Sequence, residues 1–121
     1  MAVLIDTSVW IDHLRSPIAA IPDAVLAGSV RMHPFVIGEL ALGSLPDRER
    51  FLRFLNALPS VASLADPALL TFIGKASLDN KGIGLVDVHL LSACAEYRLT
   101  LWTRDRRLAE QAERLGLLHV A

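Results

Sequence analysis

Residues 2–12 read Ala2-Val3-Leu4-Ile5-Asp6-Thr7-Ser8-Val9-Trp10-Ile11-Asp12. Ala2 to Ile5 is a short apolar run closed by three polar turn formers. Runs of that length with such a boundary predict a buried strand. Val9 to Arg15 predicts a helix, with Thr7 or Ser8 as its cap and Pro17 beyond its end. A strand that feeds straight into a helix opens a βα unit, and the rest of the chain keeps that alternation.

Working outward, Pro22-Asp23 predicts the start of a short helix, Ala24 to Ala27, closed by Gly28. Arg31 to Val36 predicts a second strand, and Pro34 within it argues for an edge or irregular position. Ile37 to Leu42 reads as a helix ending near Gly43. Asp47 to Leu58 carries apolar residues at 51, 52, 54, 55 and 58, a helical spacing. Ser60 to Leu64 is a weak third strand. Asp66-Pro67 opens a helix to about Leu78, and Val86 to Leu99 is a strongly apolar helix. Thr100 to Thr103 predicts a strand, Arg106 to Leu115 a polar helix, and Leu117 to Val120 a last short strand. Strands alternating with helices predict an α/β architecture with a mostly parallel sheet and helices on both faces.

The chain has 121 residues, of which 53% are hydrophobic and 21% charged. Those values fit one globular domain over residues 1–121 and exclude a disordered chain. Twelve Lys and Arg against thirteen Asp and Glu leave a net charge of -1, so no bulk basic tail holds nucleic acid by charge alone. The single Cys forms no intrachain disulfide, which points to a reducing, cytoplasmic setting. The N-terminal run lacks a basic leader and contains Asp6, so it reads as neither signal peptide nor anchor. No stretch of about 18 uncharged apolar residues is present, so no membrane span is expected.

Most of the acids fit solvated helix faces, caps and turns. Three do not. Asp6 lies between Val3-Leu4-Ile5 and Val9-Trp10-Ile11, Glu39 is the only charge between His33 and Leu45, and Asp87 opens the most apolar helix. A carboxylate in such a setting takes a partner or a proton, and Lys and Arg are missing nearby. Asp6 ends the first strand, and Asp105 follows the strand at Thr100 to Thr103, so both fall on the edge where open parallel sheets form their ligand crevice. Glu39 and Asp87, near expected helix N-termini, fall on the same side. Four carboxylates converging from four segments repel one another by several kcal/mol, on the order of Coulomb estimates at intermediate dielectric. A multivalent cation makes that cluster tolerable. Oxygen-only ligands select a hard ion, Mg²⁺ or Mn²⁺. Individually, Asp87 and Asp105 also fit plain helix caps, and Asp6 fits an acceptor for the turn that follows it; the pattern of four carries the inference.

Other chemistry is weaker. The four His at 13, 33, 89 and 119 lack zinc spacing. His89 reads as a partly buried, hydrogen-bonded imidazole, Cys94 as a core residue, and Gly82-Ile83-Gly84 as a flexible turn. Ser8 has no evident general base. Arg104, Arg106 and Arg107 read equally as a solvated helix start or as a phosphate-binding patch.

Four segments carry a resemblance. Ile5-Asp6-Thr7-Ser8-Val9 resembles the first motif of PIN-domain nucleases, and Glu39-Leu40 the second. Gly82-Ile83-Gly84-Leu85-Val86-Asp87-Val88-His89-Leu90-Leu91-Ser92-Ala93-Cys94 resembles the third, and Leu101-Trp102-Thr103-Arg104-Asp105-Arg106-Arg107 the fourth. Together with the small size, they resemble VapC-type toxins of type II toxin–antitoxin pairs. The resemblance implies a three-layer PIN-like fold and a Mg²⁺-dependent endoribonuclease cutting structured RNA such as tRNA or rRNA, with Mn²⁺ able to substitute. It also implies a homodimer and a VapB-type antitoxin as partner. Asp6, Glu39, Asp87 and Asp105 match the catalytic acidic quartet. Asp6 and Asp87 would be the main metal ligands, Asp105 would complete the site, and Glu39 would orient or deprotonate the attacking water. Thr7, Ser8, Thr103 and Arg106 match positions beside the substrate. His89, Leu91 and Trp102 depart from the usual smaller or simpler residues without touching the acids.

Two rival readings remain at this level. One is another Mg²⁺-dependent phosphohydrolase on a doubly wound sheet; such enzymes carry a second Asp two residues after the first, where this chain has Ser8. The other is a non-catalytic module whose acids receive arginines of a partner.

Overall fold

The computed structural model describes residues 1–120. Strand β1 (Val3–Ile5) is buried along its whole length and leads into helix α1 (Thr7–Arg15). Helix α2 (Ala20–Leu26) follows, then strand β2 (Val30–Arg31), helix α3 (Pro34–Leu42) and helix α4 (Arg48–Ala57). The second half holds helix α5 (Asp66–Lys75), helix α6 (Leu85–Tyr97), strand β3 (Thr100–Trp102) and helix α7 (Arg106–Arg114).

The strands pair in the order β2-β1-β3, all parallel. Val3 stands opposite Val30 on one side and Thr100 on the other, and Ile5 opposite Trp102. Single parallel bridges extend the sheet outward, from Met32 to Ser60 and from Leu101 to Leu118. The connections from β1 through β2 to Ser60 run one way across the sheet. Those from Ser60 to β3 and on to Leu118 run the other way. Right-handed crossovers then place α1 to α4 over one face and α5 to α7 over the other. The packing of α1 on α3, α3 on α4, and α5 on α6 agrees. Connections diverge between β1 and β3, which makes their carboxyl ends the topological switch point of the sheet.

Helix α6 is the spine of the core. Val88, His89, Leu90, Leu91, Ser92, Ala93 and Cys94 are buried in succession, so it has no solvent stripe over those two turns. Helix α7 is the opposite case, burying Leu108 and Ala112 four residues apart under a charged outer face.

Four local expectations change. The cap of α1 is Asp6, not Thr7 or Ser8, because the Asp6 carboxylate accepts the Thr7 N–H. Arg31 to Val36 is not a strand with Pro34 inside it. β2 ends at Arg31, and Pro34 begins α3, where its missing N–H costs nothing. The strands expected at Ser60 to Leu64 and Leu117 to Val120 reduce to the single bridges. Helix α2 starts at Ala20, ahead of Pro22, because proline fits a first helical turn.

Candidate active site

Asp6 is the hub of the switch point. It is 7% exposed, and its carboxylate accepts three hydrogen bonds, one of which caps α1's backbone. Oδ1 takes the Thr7 N–H at 2.7 Å. Oδ2 takes the Ser8 hydroxyl at 2.9 Å and the Thr103 hydroxyl at 2.7 Å. The same two hydroxyls accept backbone donors from beyond β3: Ser8 Oγ from the Arg104 N–H at 3.1 Å, and Thr103 Oγ1 from the Asp105 N–H at 3.1 Å. Each hydroxyl thus donates to Asp6 and accepts from the turn beyond β3. Together they stitch the start of α1 to the β3–α7 turn.

The other three acids approach this hub from separate elements. Asp105 caps α7, its Oδ1 accepting the Leu108 N–H at 3.1 Å. Asp87 lies in the first turn of α6, its Oδ2 accepting the Gly84 N–H at 3.0 Å. Glu39 takes the Thr7 hydroxyl on Oε1 at 2.8 Å, so Thr7 ties α3 to the strand end that carries Asp6. Burial pushes the Asp87 carboxyl above its usual range, the Gly84 N–H opposes that, and the charges of Asp6, Asp105 and Glu39 raise it further. Asp6, Asp105 and Glu39 thus lie near enough to Asp87 for their charges to act on it.

The environment of Glu39 differs from the enclosed one its apolar neighbours predict. Val36 and Leu40 face the core, while Glu39 is exposed in the middle of α3 rather than at its N-terminus. It borders a groove of about 330 Å³ shared with Ile11, Leu14, Arg15 and Leu45. Asp105 and Arg106 are exposed as well, and Arg106 Nε lies 3.8 Å from Glu110 Oε1. His89 is buried but lacks the hydrogen bond expected of it: its Nδ1 has no partner, and its ring packs edge-on against Phe35 at 4.5 Å.

The donor set fits a hard divalent cation. Its side-chain donors are carboxylate and hydroxyl oxygens. Among the described residues, the ion pairs engage Asp47, Asp12 and Glu110 and none of the four acids. Also among the described residues, no three acidic, cysteine or histidine side chains close into a tight cage. Each acid has an oxygen engaged by a local N–H or hydroxyl. The Gly84 N–H that anchors Asp87 is the site feature least visible beforehand. Its signal is glycine at the residue before the helix, where a backbone donor reaches back to the third helical side chain.

Comparison with known proteins gives a consistent picture. The PIN domain family model matches residues 3–114. Ribonuclease VapC32 of Mycobacterium tuberculosis, in strains CDC 1551 / Oshkosh and H37Rv, is 37% identical over 116 residues, 95% of this chain and 94% of the relative. Among solved structures, VapBC-1 from nontypeable Haemophilus influenzae superposes with a TM-score of 0.68 at 20% identity, covering 98% of this chain and 96% of that one. FitAcB from Neisseria gonorrhoeae gives a TM-score of 0.65 at 19% identity, covering 92% and 93%.

Proposed function

This chain belongs to the PIN-domain family, in its VapC-type branch, and from that premise we propose that the acidic edge at β1 and β3 is its ribonuclease site. The enzyme hydrolyses RNA phosphodiester bonds as the toxin of a toxin–antitoxin pair, with a VapB-type antitoxin as partner. Enzymes of this family depend on a divalent metal. Mg²⁺, with Mn²⁺ as substitute, is the ion we assign here, and structured RNA such as tRNA or rRNA the substrate. A homodimer of single-domain chains in the cytoplasm is the working assembly we assign.

The observation that supports this reading is the Asp87 carboxyl, raised first by burial and further by the charges of Asp6, Asp105 and Glu39, which come to it from three other segments. Asp6 and Asp87 would hold the metal, and Asp105 would complete its shell. When bound, the ion supplies stabilisation for charge developing on the phosphate and a more acidic water. The chain's own groups do the rest. Thr103 and Ser8 fix the Asp6 carboxylate in one orientation. Thr7 holds one oxygen of Glu39 and leaves Oε2 to orient the attacking water or take its proton. Ser8, Thr103 and Arg106 line the approach for substrate.

The test is cleavage of RNA by the purified, antitoxin-free chain in Mg²⁺. Asp6→Asn keeps a capping oxygen, so the fold survives, and cleavage falls by about a thousandfold or more, the scale of losing a charge-stabilising group. Full activity in that variant refutes the assignment.

A further inference from the structure

Four arginines stem from or follow the turn that carries Asp105, and three of them have a partner within the molecule. Arg104 Nη1 bonds Asp12 Oδ2 at 2.9 Å. Arg106 faces Glu110. Arg114 Nη2 donates to the carbonyl oxygens of Ala76 at 2.7 Å and Ser77 at 3.4 Å. Arg107 differs. Its guanidinium is exposed and, among the described residues, forms no ion pair and no hydrogen bond. It lies instead against Gly82. A Cβ placed on Gly82 would fall 2.7 Å from Arg107 Nη1, 3.2 Å from Cδ and 3.3 Å from Cζ. Gly82 also has φ +75°, so a side chain here would carry backbone strain and would push the Arg107 head aside.

The placement has a consequence for substrate. Arg107 stems from the second residue after Asp105, and its head crosses the turn whose Gly84 N–H anchors Asp87. It bridges the two turns that present those carboxylates yet pairs with neither. RNA brings a row of negative phosphates toward four carboxylates on a chain of net charge -1. A local cation is needed to favour that approach, since the chain as a whole supplies no attraction. A guanidinium with all five donors uncommitted, lying beside a glycine, matches a phosphate in geometry and charge.

We infer that Arg107, seated on Gly82, binds a backbone phosphate of the RNA beside the reacting one, as a substrate-positioning residue. The inference rests on the ribonuclease reading above and adds to it a specific contact.

The experiment is steady-state cleavage of one RNA at fixed Mg²⁺ over a salt series. Arg107→Gln raises KM about tenfold and leaves kcat within about twofold, because a contact made equally before and during the reaction is uniform binding. The plot of log affinity against log salt becomes shallower by about one. Gly82→Ala evicts the guanidinium and gives a similar KM rise, with no further effect in an Arg107→Gln background. Gly28→Ala, at φ +71° with nothing within 4 Å of its Cβ, carries the same backbone cost and leaves KM unchanged. Unaltered KM and salt slope in Arg107→Gln overturn the inference. So does a shift of kcat and of the half-saturating Mg²⁺ concentration in their place, which would make Arg107 a counter-charge for the acids. RNA binding in the Asp6→Asn background measures the same slope without turnover. A wild-type chain that cleaves no RNA therefore counts against the ribonuclease reading alone.

Discussion

His33 sets an acid limit on the stability of this fold. Its ring is 0% exposed, and Nδ1 accepts the Phe35 N–H at 3.0 Å, capping α3. Only the neutral imidazole can do that. Burial, with a smaller push from His89, lowers its pKa from 6.5 to about 4. The unfolded chain therefore binds a proton that the folded chain refuses between those values. His33's contribution to stability is whole above about pH 6.5 and is lost as pH falls toward 4. At about 1.4 kcal/mol per pH unit, the full span costs about 3 kcal/mol, an upper bound for one residue. His33→Asn keeps a capping acceptor that does not titrate. Urea unfolding of both proteins at pH 7, 5.5 and 4.5 measures the difference between them. That difference should shrink by about 2 kcal/mol or more across the series, carboxylate titrations common to both cancelling. The His33 ring resonances should move only near pH 4. A difference that stays flat with pH, or a His33 ring that titrates near 6.5, refutes the argument.

Three further outcomes follow from the site. Thr103→Val removes a donor to Asp6 and an acceptor for Asp105; it should cost about 1–2 kcal/mol in chemical unfolding and slow cleavage, with Thr103→Ser restoring both. Asp87 has its pKa raised, so its carboxylate lowers stability as pH rises through the folded value and is harmless below the unfolded one. Asp87→Asn should therefore raise Tm at pH 7 in metal-free buffer while abolishing cleavage, the gain fading on acidification; an unchanged Tm would deny the crowding of charge. Added Mg²⁺ at a hundredfold over its Kd should stabilise the wild type by about 2.7 kcal/mol, and equal stabilisation of Asp6→Asn would place the ion elsewhere.

The legible and illegible parts of this molecule divide along physical lines. β1, α1 and the placement of Asp6 follow from a short apolar run broken by Asp-Thr-Ser, because burial and turn chemistry act within a few residues. The parallel sheet follows from alternation of elements and a rule of handedness. Capping was less accessible: His33 is outside the usual set of cap residues, so Pro34 pointed to a spoiled strand rather than to a helix start. Glu39 misleads for a related reason. An apolar run in a helix spreads around all sides, and only the three-four spacing of Val36 and Leu40 reveals which side faces in. Outer strands are weakly encoded because single bridges at Ser60 and Leu118 need little sequence of their own. The four acids stand out by their apolar neighbours or their expected places at element ends, but the hydroxyl stitch and the Arg107 seat depend on contacts 96 or 25 residues apart in the chain, between positions 8 and 104 or 82 and 107.

The burial of seven consecutive residues of α6 reaches beyond the core. Asp87 opens that rod, so it cannot tilt or retreat without disturbing close-packed neighbours on every side. One wall of the proposed catalytic cleft is thus as stiff as the protein interior. Glu39, on an exposed turn of α3, is the wall with room to yield. Accommodation of differently shaped RNA should fall on the Glu39 side, with Asp87 as the fixed anvil against which the strand is cut.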